Sequence, residues 1–84
     1  MPTNPATVRD LRVGECGVLG EPTLPDQRRR RLAELGLRAG ETVTLVQRAV
    51  GGARVLAVGE SRIALDARLS AQLPLAGEST GEPA

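Results

Sequence analysis

The sequence predicts a small all-β barrel of five to six short strands, with one helix inserted after the first strand. Three observations support this fold class. A chain of 84 residues has room for one domain. Its second half alternates short aliphatic segments with glycine-containing turns, as antiparallel strands do. A single segment, from Leu24 to Leu35, has the apolar spacing of a helix. A closed sheet around one aliphatic core accommodates all three observations.

The composition of the two ends sets the expected domain limits. Residues 1–7 and 77–84 are rich in proline, serine, threonine and glycine and offer few apolar side chains to bury. Such segments do not recover the entropy lost on folding, so we expect disordered tails at both ends. The folded domain is then expected over residues 8–76.

The first strand is predicted before the helix, at Cys16–Pro22, and the second after it, at Thr42–Val50. Each follows a four-residue turn with glycine at the third position, Gly14 in the first turn and Gly40 in the second. A type II turn needs a positive φ at that position, which glycine adopts at low cost. Each turn therefore predicts that a strand begins directly after it.

The predicted helix has signals at both ends. Thr23 and Asp26 have the spacing of a capping box at its beginning, and Pro25 suits its first turn. At its end, Gly36 is expected in the left-handed conformation of a Schellman motif.

The same motif predicts an apolar contact across the end of the helix. With Gly36 at the position after the cap, Leu37 should contact Leu32. Leu32 and Leu35 lie on one face of the helix, which we expect to face the barrel interior.

Two hairpins are predicted in the second half. Gly51-Gly52 connects Thr42–Val50 to Ala53–Val58, and Gly59-Glu60 leads into Ser61–Leu65. A last edge strand, Leu73–Leu75, follows a connection that could form one helical turn.

The two hairpin turns agree on one apolar face. A two-residue loop at the first sets Leu45 opposite Val58, and a two-residue loop at the second sets Leu56 opposite Ile63. These four residues then share a face, and a register slip of one residue would move them to the opposite side. The full predicted interior comprises Leu11, Val18, Leu32, Leu35, Leu45, Leu56, Val58, Ile63 and Leu65.

Missing residue types exclude several functions. The chain has no aromatic residue and no histidine, and Cys16 is its one cysteine. Disulfide scaffolds, zinc fingers, aromatic base-stacking platforms and histidine-based catalysis are therefore ruled out. We read Cys16 as a small structural side chain and assign no catalytic residue, metal ligand or cofactor.

The remaining local feature is the run Arg28, Arg29, Arg30 and Arg31 on the predicted helix. Successive residues step about 100° around a helix, so the four side chains spread around it, with Arg28 and Arg31 nearer the apolar face. Three interpretations stay open: a solvated helix face, a docking patch for an acidic partner, and a phosphate-binding surface. A net charge of +1 argues against nucleic acid.

A longer motif runs from Arg31 to Val43 and reads RLAELGLRAGETV. It resembles the motif of the ferrous iron transport protein A (FeoA) family, Arg-Leu-x-x-Leu-Gly-Leu-x-Pro-Gly-x-x-Val, and the likeness extends over Val8 to Leu75. Ala39 and Ala53 stand where the family usually has proline, which loosens two turns. The structural positions of the motif and the hairpins are Leu32, Leu35, Gly36, Leu37, Gly40, Gly51, Gly52 and Gly59.

The resemblance implies an SH3-like barrel that works in the cytoplasm as a non-enzymatic accessory of ferrous iron transport. Its implied partner is the cytoplasmic part of the FeoB iron permease, whose Fe(II) uptake it would modulate without entering the membrane. The same fold occurs in iron-dependent repressors of the diphtheria toxin repressor type, but we expect a stand-alone accessory. Two alternatives remain: a nucleic-acid-binding module using Arg28–Arg31, and a general SH3-like adaptor. Self-association through the edge near Pro74 is also open.

Overall fold

The structure, a computed structural model, describes residues 6–76. Its strands are β1 (Cys16–Val18), β2 (Thr42–Arg48), β3 (Arg54–Val58) and β4 (Ser61–Leu65). Its helices are α1 (Asp26–Glu34) and α2 (Ala67–Gln72), and short 3-10 turns span Val8–Asp10 and Val50–Gly52. The strands form an antiparallel sheet in the order β1–β2–β3–β4. The predicted class, a small mostly β domain with a helix after its first strand, is confirmed. The sheet has four strands instead of five or six, and a second helix follows β4.

The last predicted strand, residues 73–75, closes the fold through isolated pairings. Leu75 forms a single bridge with Leu19. The amide of Gly20 donates a hydrogen bond to the carbonyl of Pro74 (2.8 Å). Because proline has no amide hydrogen, a regular ladder does not continue through this segment. β1 is also shorter than predicted and ends at Val18, where its pairing with β2 ends.

The N-terminal tail predicted for residues 1–7 includes two residues that take part in this closure. Thr7 forms a bridge with Pro74. The amide of Leu75 donates to the carbonyl of Ala6 (2.9 Å). Ala6 and Thr7 therefore belong to the folded part, and the other predicted tail residues, 1–5 and 77–84, lie outside the described residues.

The loop between β2 and β3 is longer than the predicted two-residue turn at Gly51-Gly52. Val50 joins the two glycines in a single turn, and the amide of Ala49 donates to the carbonyl of Ala53 (2.8 Å) across it. Both glycines have positive φ, +76° and +84°. The turn therefore contains three residues. Ala53 lies opposite Ala49 instead of the predicted Val50, which shifts the register by one residue.

A second irregularity compensates for this shift. A β-bulge between Leu45 and Gln47 moves the register by one more residue, so that Leu45 lies opposite Leu56 and not opposite Val58. Two shifts of one residue preserve the alternation of faces. Leu45, Leu56 and Val58 are all buried, and Ile63 packs partly buried against them. The predicted pairing is wrong, while the predicted shared face is confirmed.

The second hairpin follows the prediction. Gly59-Glu60 connects β3 to β4, with Leu56 opposite Ile63 and Val58 opposite Ser61. Gly59 has φ +58°. A positive φ at the first loop position is what a type II′ turn requires, so this register follows from local sequence.

Helix α1 begins later than predicted and without the predicted capping box. Pro25 occupies the N-cap position, and no side chain caps the helix there. The residue before a proline is sterically disfavoured in the helical conformation, so Leu24 stays outside the helix. The pairing of Thr23 with Asp26 is therefore wrong, and Leu24 is instead buried in the core.

The predicted Schellman motif at the end of α1 is confirmed. The amide of Leu37 donates to the carbonyl of Leu32 (2.8 Å), and the amide of Gly36 donates to the carbonyl of Ala33 (3.0 Å). Gly36 has φ +98°, a conformation that L side chains rarely adopt. Leu32 and Leu37 are both buried, as the motif requires.

The prediction that Leu35 faces the interior is wrong. The chain reverses at Gly36, and Leu37 instead of Leu35 joins Leu32 in the core. Leu35 is the C-cap residue of α1, and its side chain is 49% exposed. The turn that follows is also as predicted: the amide of Glu41 donates to the carbonyl of Arg38 (3.1 Å).

The core is one aliphatic cluster. Six predicted interior residues are buried: Leu11, Leu32, Leu45, Leu56, Val58 and Leu65. The further core residues are Val8, Leu19, Leu24, Leu37, Val43, Leu73 and Leu75. Val18 is only half-buried, since Gly17 takes the inward position of β1. A Cβ on Gly17 would lie 3.2 Å from the Leu75 side chain, which fills that space.

Candidate functional site

The described residues provide no preassembled site for metal chemistry. Between residues 6 and 76, no group of three or more cysteine, aspartate or glutamate side chains is placed to hold a metal ion. Cys16 is half-buried in β1. The features left to consider are therefore surfaces and grooves.

The four arginines of α1 line two different grooves. Arg28 and Arg31 line a groove of about 460 Å³ bordered by α1, β4 and α2. Arg29 and Arg30 line another of about 410 Å³ on the other side of the helix. The sequence placed Arg28 and Arg31 nearer the Leu32 side, and the structure agrees, since Leu32 lines the same groove.

Arg29 is matched by acidic groups of its own chain. Its Nη2 lies 2.5 Å from Oδ1 of Asp26, and its Nη1 lies 3.9 Å from Oε1 of Glu21. The hydrogen bond to Asp26, followed by the Coulomb attraction of that carboxylate, raises the pKa of Arg29. Arg29 is therefore the member of the run least suited to bind an outside carboxylate.

The groove with Arg28 and Arg31 has a third arginine on its rim, Arg68 of α2. Asp66 is the one carboxylate that lines it, so positive charge predominates. We call this site the arginine groove and define its rim as Arg28, Arg31 and Arg68.

The floor of the arginine groove is apolar. Leu35 contributes a side chain that is 49% exposed, and Ile63 and Leu69 are partly buried and pack against the core. Together these side chains form one contiguous apolar area bordered by charged groups, and a partner that covers it would remove it from water.

Helix α2 supplies one side of the groove and is fixed by its own cap. The Oδ1 of Asp66 accepts a hydrogen bond from the amide of Leu69 (2.7 Å). The hydroxyl of the buried Ser70 donates to the carbonyl of Asp66 (2.9 Å). These bonds hold Arg68 and Leu69 at the groove. Sequence reasoning missed Arg68, although an aspartate cap before the predicted helical turn was a usable signal.

The groove on the other side of α1 has mixed charge. Arg29, Arg30 and Arg38 face Glu21 and Asp26 there. This balance gives little reason for an acidic partner to prefer it, which makes Arg30 and Arg38 useful controls.

Comparison with known proteins identifies the family. The sequence model of the FeoA domain family matches residues 6–74 of the chain. No curated protein matches the chain. Among residues 6–76, no helix has the length and apolar character needed to cross a membrane.

Solved structures agree on the fold. A crystal structure of the iron uptake regulatory protein (FeoA) is 20% identical, superposes with a TM-score of 0.73, and the match covers 83% of this chain and 92% of the other. The zinc complex of Stenotrophomonas maltophilia FeoA, described as a prokaryotic SH3 domain protein, is 25% identical with a TM-score of 0.69, covering 84% and 89%.

A manganese-dependent transcriptional repressor shares the fold over part of its length. It is 22% identical with a TM-score of 0.70, and the match covers 89% of this chain but 42% of the repressor. The SH3-like class implied by the motif is thus confirmed. With a family model that spans nearly all of the described residues, the chain belongs to the FeoA domain family.

Proposed function

We propose that the chain is an accessory protein of ferrous iron transport that binds the cytoplasmic part of an FeoB-type permease and modulates Fe(II) uptake. The observation that carries the proposal is the match of the FeoA domain to residues 6–74. The S. maltophilia relative is described as a candidate ferrous iron transport activating factor, which agrees with an accessory role. In this proposal the chain works in the cytoplasm and catalyses no reaction itself.

The arginine groove is the surface proposed for the contact. Its three rim arginines attract carboxylates, and the half-exposed Leu35 offers apolar area in the same groove. Charges at the rim of an interface mainly steer and orient the partner, while apolar groups at the centre supply affinity. Both elements are present here within one groove.

The arrangement of the arginines favours a protein partner over nucleic acid. Arg28 and Arg31 face one groove, Arg30 faces the other, and Arg29 is paired with Asp26. A phosphate backbone is best bound by several cations on one continuous face. The run Arg28–Arg31 does not provide such a face.

The first prediction concerns capture of the permease. The double variant Arg28→Glu/Arg31→Glu should lower the affinity for the purified cytoplasmic part of the permease by at least about tenfold, because two attractive rim charges become repulsive. The matched control is Arg30→Glu/Arg38→Glu, with the same charge change on the opposite groove, and it should stay within about threefold of the parent.

The binding measurements distinguish a wrong function from a wrong binding surface. If the parent protein does not bind the permease part, the proposed function is wrong. If both double variants weaken binding equally, the permease contact is retained but its assignment to the arginine groove is wrong.

A further inference from the structure

The two edges of the sheet differ in how they are covered. On the outer side of β1, the amide of Ala76 donates to the carbonyl of Val18 (2.7 Å), and Leu19 pairs with Leu75. Residues 74–76 therefore cover this edge. β4 has one paired neighbour in the described part of the chain, β3. Its other edge is open.

The register of the second hairpin shows which backbone groups of β4 lie at that open edge. In a two-residue hairpin the flanking pair, here Val58 and Ser61, exchanges backbone hydrogen bonds, and every second pair along the ladder does the same. The residues in between, Arg62 and Ala64, therefore direct their N–H and C=O groups away from β3. These groups are the ones a further strand would bind.

The open edge lies at the arginine groove. Ile63, Ala64 and Leu65 of β4 line the groove opposite Arg28 and Arg31 of α1. Unpaired strand groups, apolar side chains and arginine side chains thus meet in one cleft. Edge strands are usually short or shielded, since an exposed edge invites pairing with another chain.

We propose that the partner segment bound in the arginine groove is an extended acidic peptide that adds to the sheet as a strand beside β4. This rests on the proposed function, because the segment would belong to the cytoplasmic part of the permease. Its backbone would pair with Arg62 and Ala64. Its carboxylates would pair with the rim arginines, and its apolar side chains would cover Leu35.

An extended segment fits the open edge better than a helix does. The backbone groups of a helix are bonded within the helix itself, so a helix would leave the outward groups of Arg62 and Ala64 without a backbone partner. An added strand forms hydrogen bonds with these outward groups, and the same bonds align it along β4. Such backbone bonds contribute affinity that does not depend on the identity of the side chains.

Charge argues against a second copy of the chain as the occupant. Pairing β4 with β4 of another copy would bring together the rim arginines and Arg62 of both copies, with Asp66 as the one carboxylate lining each groove. Like charges placed opposite each other destabilise strand pairs. An acidic segment has the opposite effect.

The second prediction tests this by amide hydrogen exchange of the full chain, alone and saturated with the cytoplasmic part of the permease. Strand addition should slow exchange of the Arg62 and Ala64 amides at least about tenfold, because they become hydrogen-bonded. The amides of Ser61 and Ile63, already bonded to β3, should change less.

A variant pair gives an independent check. Ala64→Pro removes the outward amide without removing a bond to β3, and edge strands tolerate proline there. It should weaken permease binding at least about tenfold, while the control Ala64→Ser, which keeps the amide, should stay within about threefold. Unfolding curves of both variants establish that they fold, and the exchange experiment on the parent does not depend on them.

Each result bears on the proposal. Binding with unchanged exchange at Arg62 and Ala64 overturns strand addition while leaving the permease contact in place. Protection that rises with protein concentration in the absence of the permease identifies a second copy as the occupant and overturns the acidic segment. No binding at all contradicts the proposed function instead.

Discussion

At the residue scale, the two glycines of the β2–β3 loop have different surroundings. Both have positive φ, +76° at Gly51 and +84° at Gly52. A Cβ on Gly52 would lie 2.9 Å from the Cβ of Ala67 in α2, whereas a Cβ on Gly51 would meet nothing within 4 Å. Gly52 is thus required both by the turn and by the close approach of α2.

The third prediction follows from this difference. Gly51→Ala should lower the free energy of unfolding by about 1 kcal/mol, the cost of a left-handed conformation. Gly52→Ala should cost about 2 kcal/mol or more, since a steric clash is added. Urea denaturation of both variants measures the difference. Equal losses would mean that α2 does not pack on this loop.

The arginines of α1 show what single residues reveal before the structure is known. The 100° step per residue placed Arg28 and Arg31 toward Leu32, which is where they lie. The pairing of Arg29 with Asp26 was missed although the two residues are three apart on one helix, a spacing that brings side chains together. The approach of Glu21 could not be foreseen, because it depends on how the chain before Pro25 reaches the helix.

At the scale of elements, the features fixed by neighbouring residues were predicted best. The end of α1 depends on Gly36 and on the contact between Leu32 and Leu37, all within six residues. The second hairpin depends on Gly59-Glu60 alone. The first hairpin was misjudged because its turn contains Val50 as well as the two glycines, and because its register also depends on a bulge at Val46, for which the local sequence gives no signal.

The fourth prediction concerns the two leucines at the end of α1. Leu37→Ala should lower the free energy of unfolding by about 2 to 4 kcal/mol, because Leu37 is fully buried in the core. Leu35→Ala removes a half-exposed side chain and should cost less than about 1 kcal/mol. The same Leu35 variant should still weaken permease binding.

The readouts for this pair are urea denaturation and titration with the permease part. If Leu35→Ala is as destabilised as Leu37→Ala, Leu35 is a core residue and not part of the groove surface. Unchanged binding by a stable Leu35→Ala protein would remove its side chain from the proposed contact.

At the scale of the whole molecule, the candidate site depends on packing between distant segments. The arginine groove combines α1, β4 and α2, and β1 is closed by residues 74–76. The sequence predicted the arginines of α1 but not Arg68, since nothing local indicates that α2 borders the same groove as α1 and β4. It offered the edge near Pro74 as one possible self-pairing site and did not indicate that, within residues 6–76, β4 has β3 as its one paired neighbour.

The same packing gives the molecule two sides with different electrostatic character. The rim of the arginine groove is positive, and the opposite groove sets Arg30 and Arg38 against Glu21 and Asp26. An acidic partner of the proposed kind would therefore be oriented by the fold as a whole, and its attraction would weaken as salt increases.

The fifth prediction is the most direct test of the central claim, that the arginine groove binds the cytoplasmic part of the permease. The measurement is a nuclear magnetic resonance titration of isotopically labelled protein with the unlabelled permease part. The largest amide shifts should cluster in β4, α2 and the side of α1 that carries Arg28 and Arg31. Shifts centred on Arg30 and Arg38, with the groove residues unaffected, would contradict the claim.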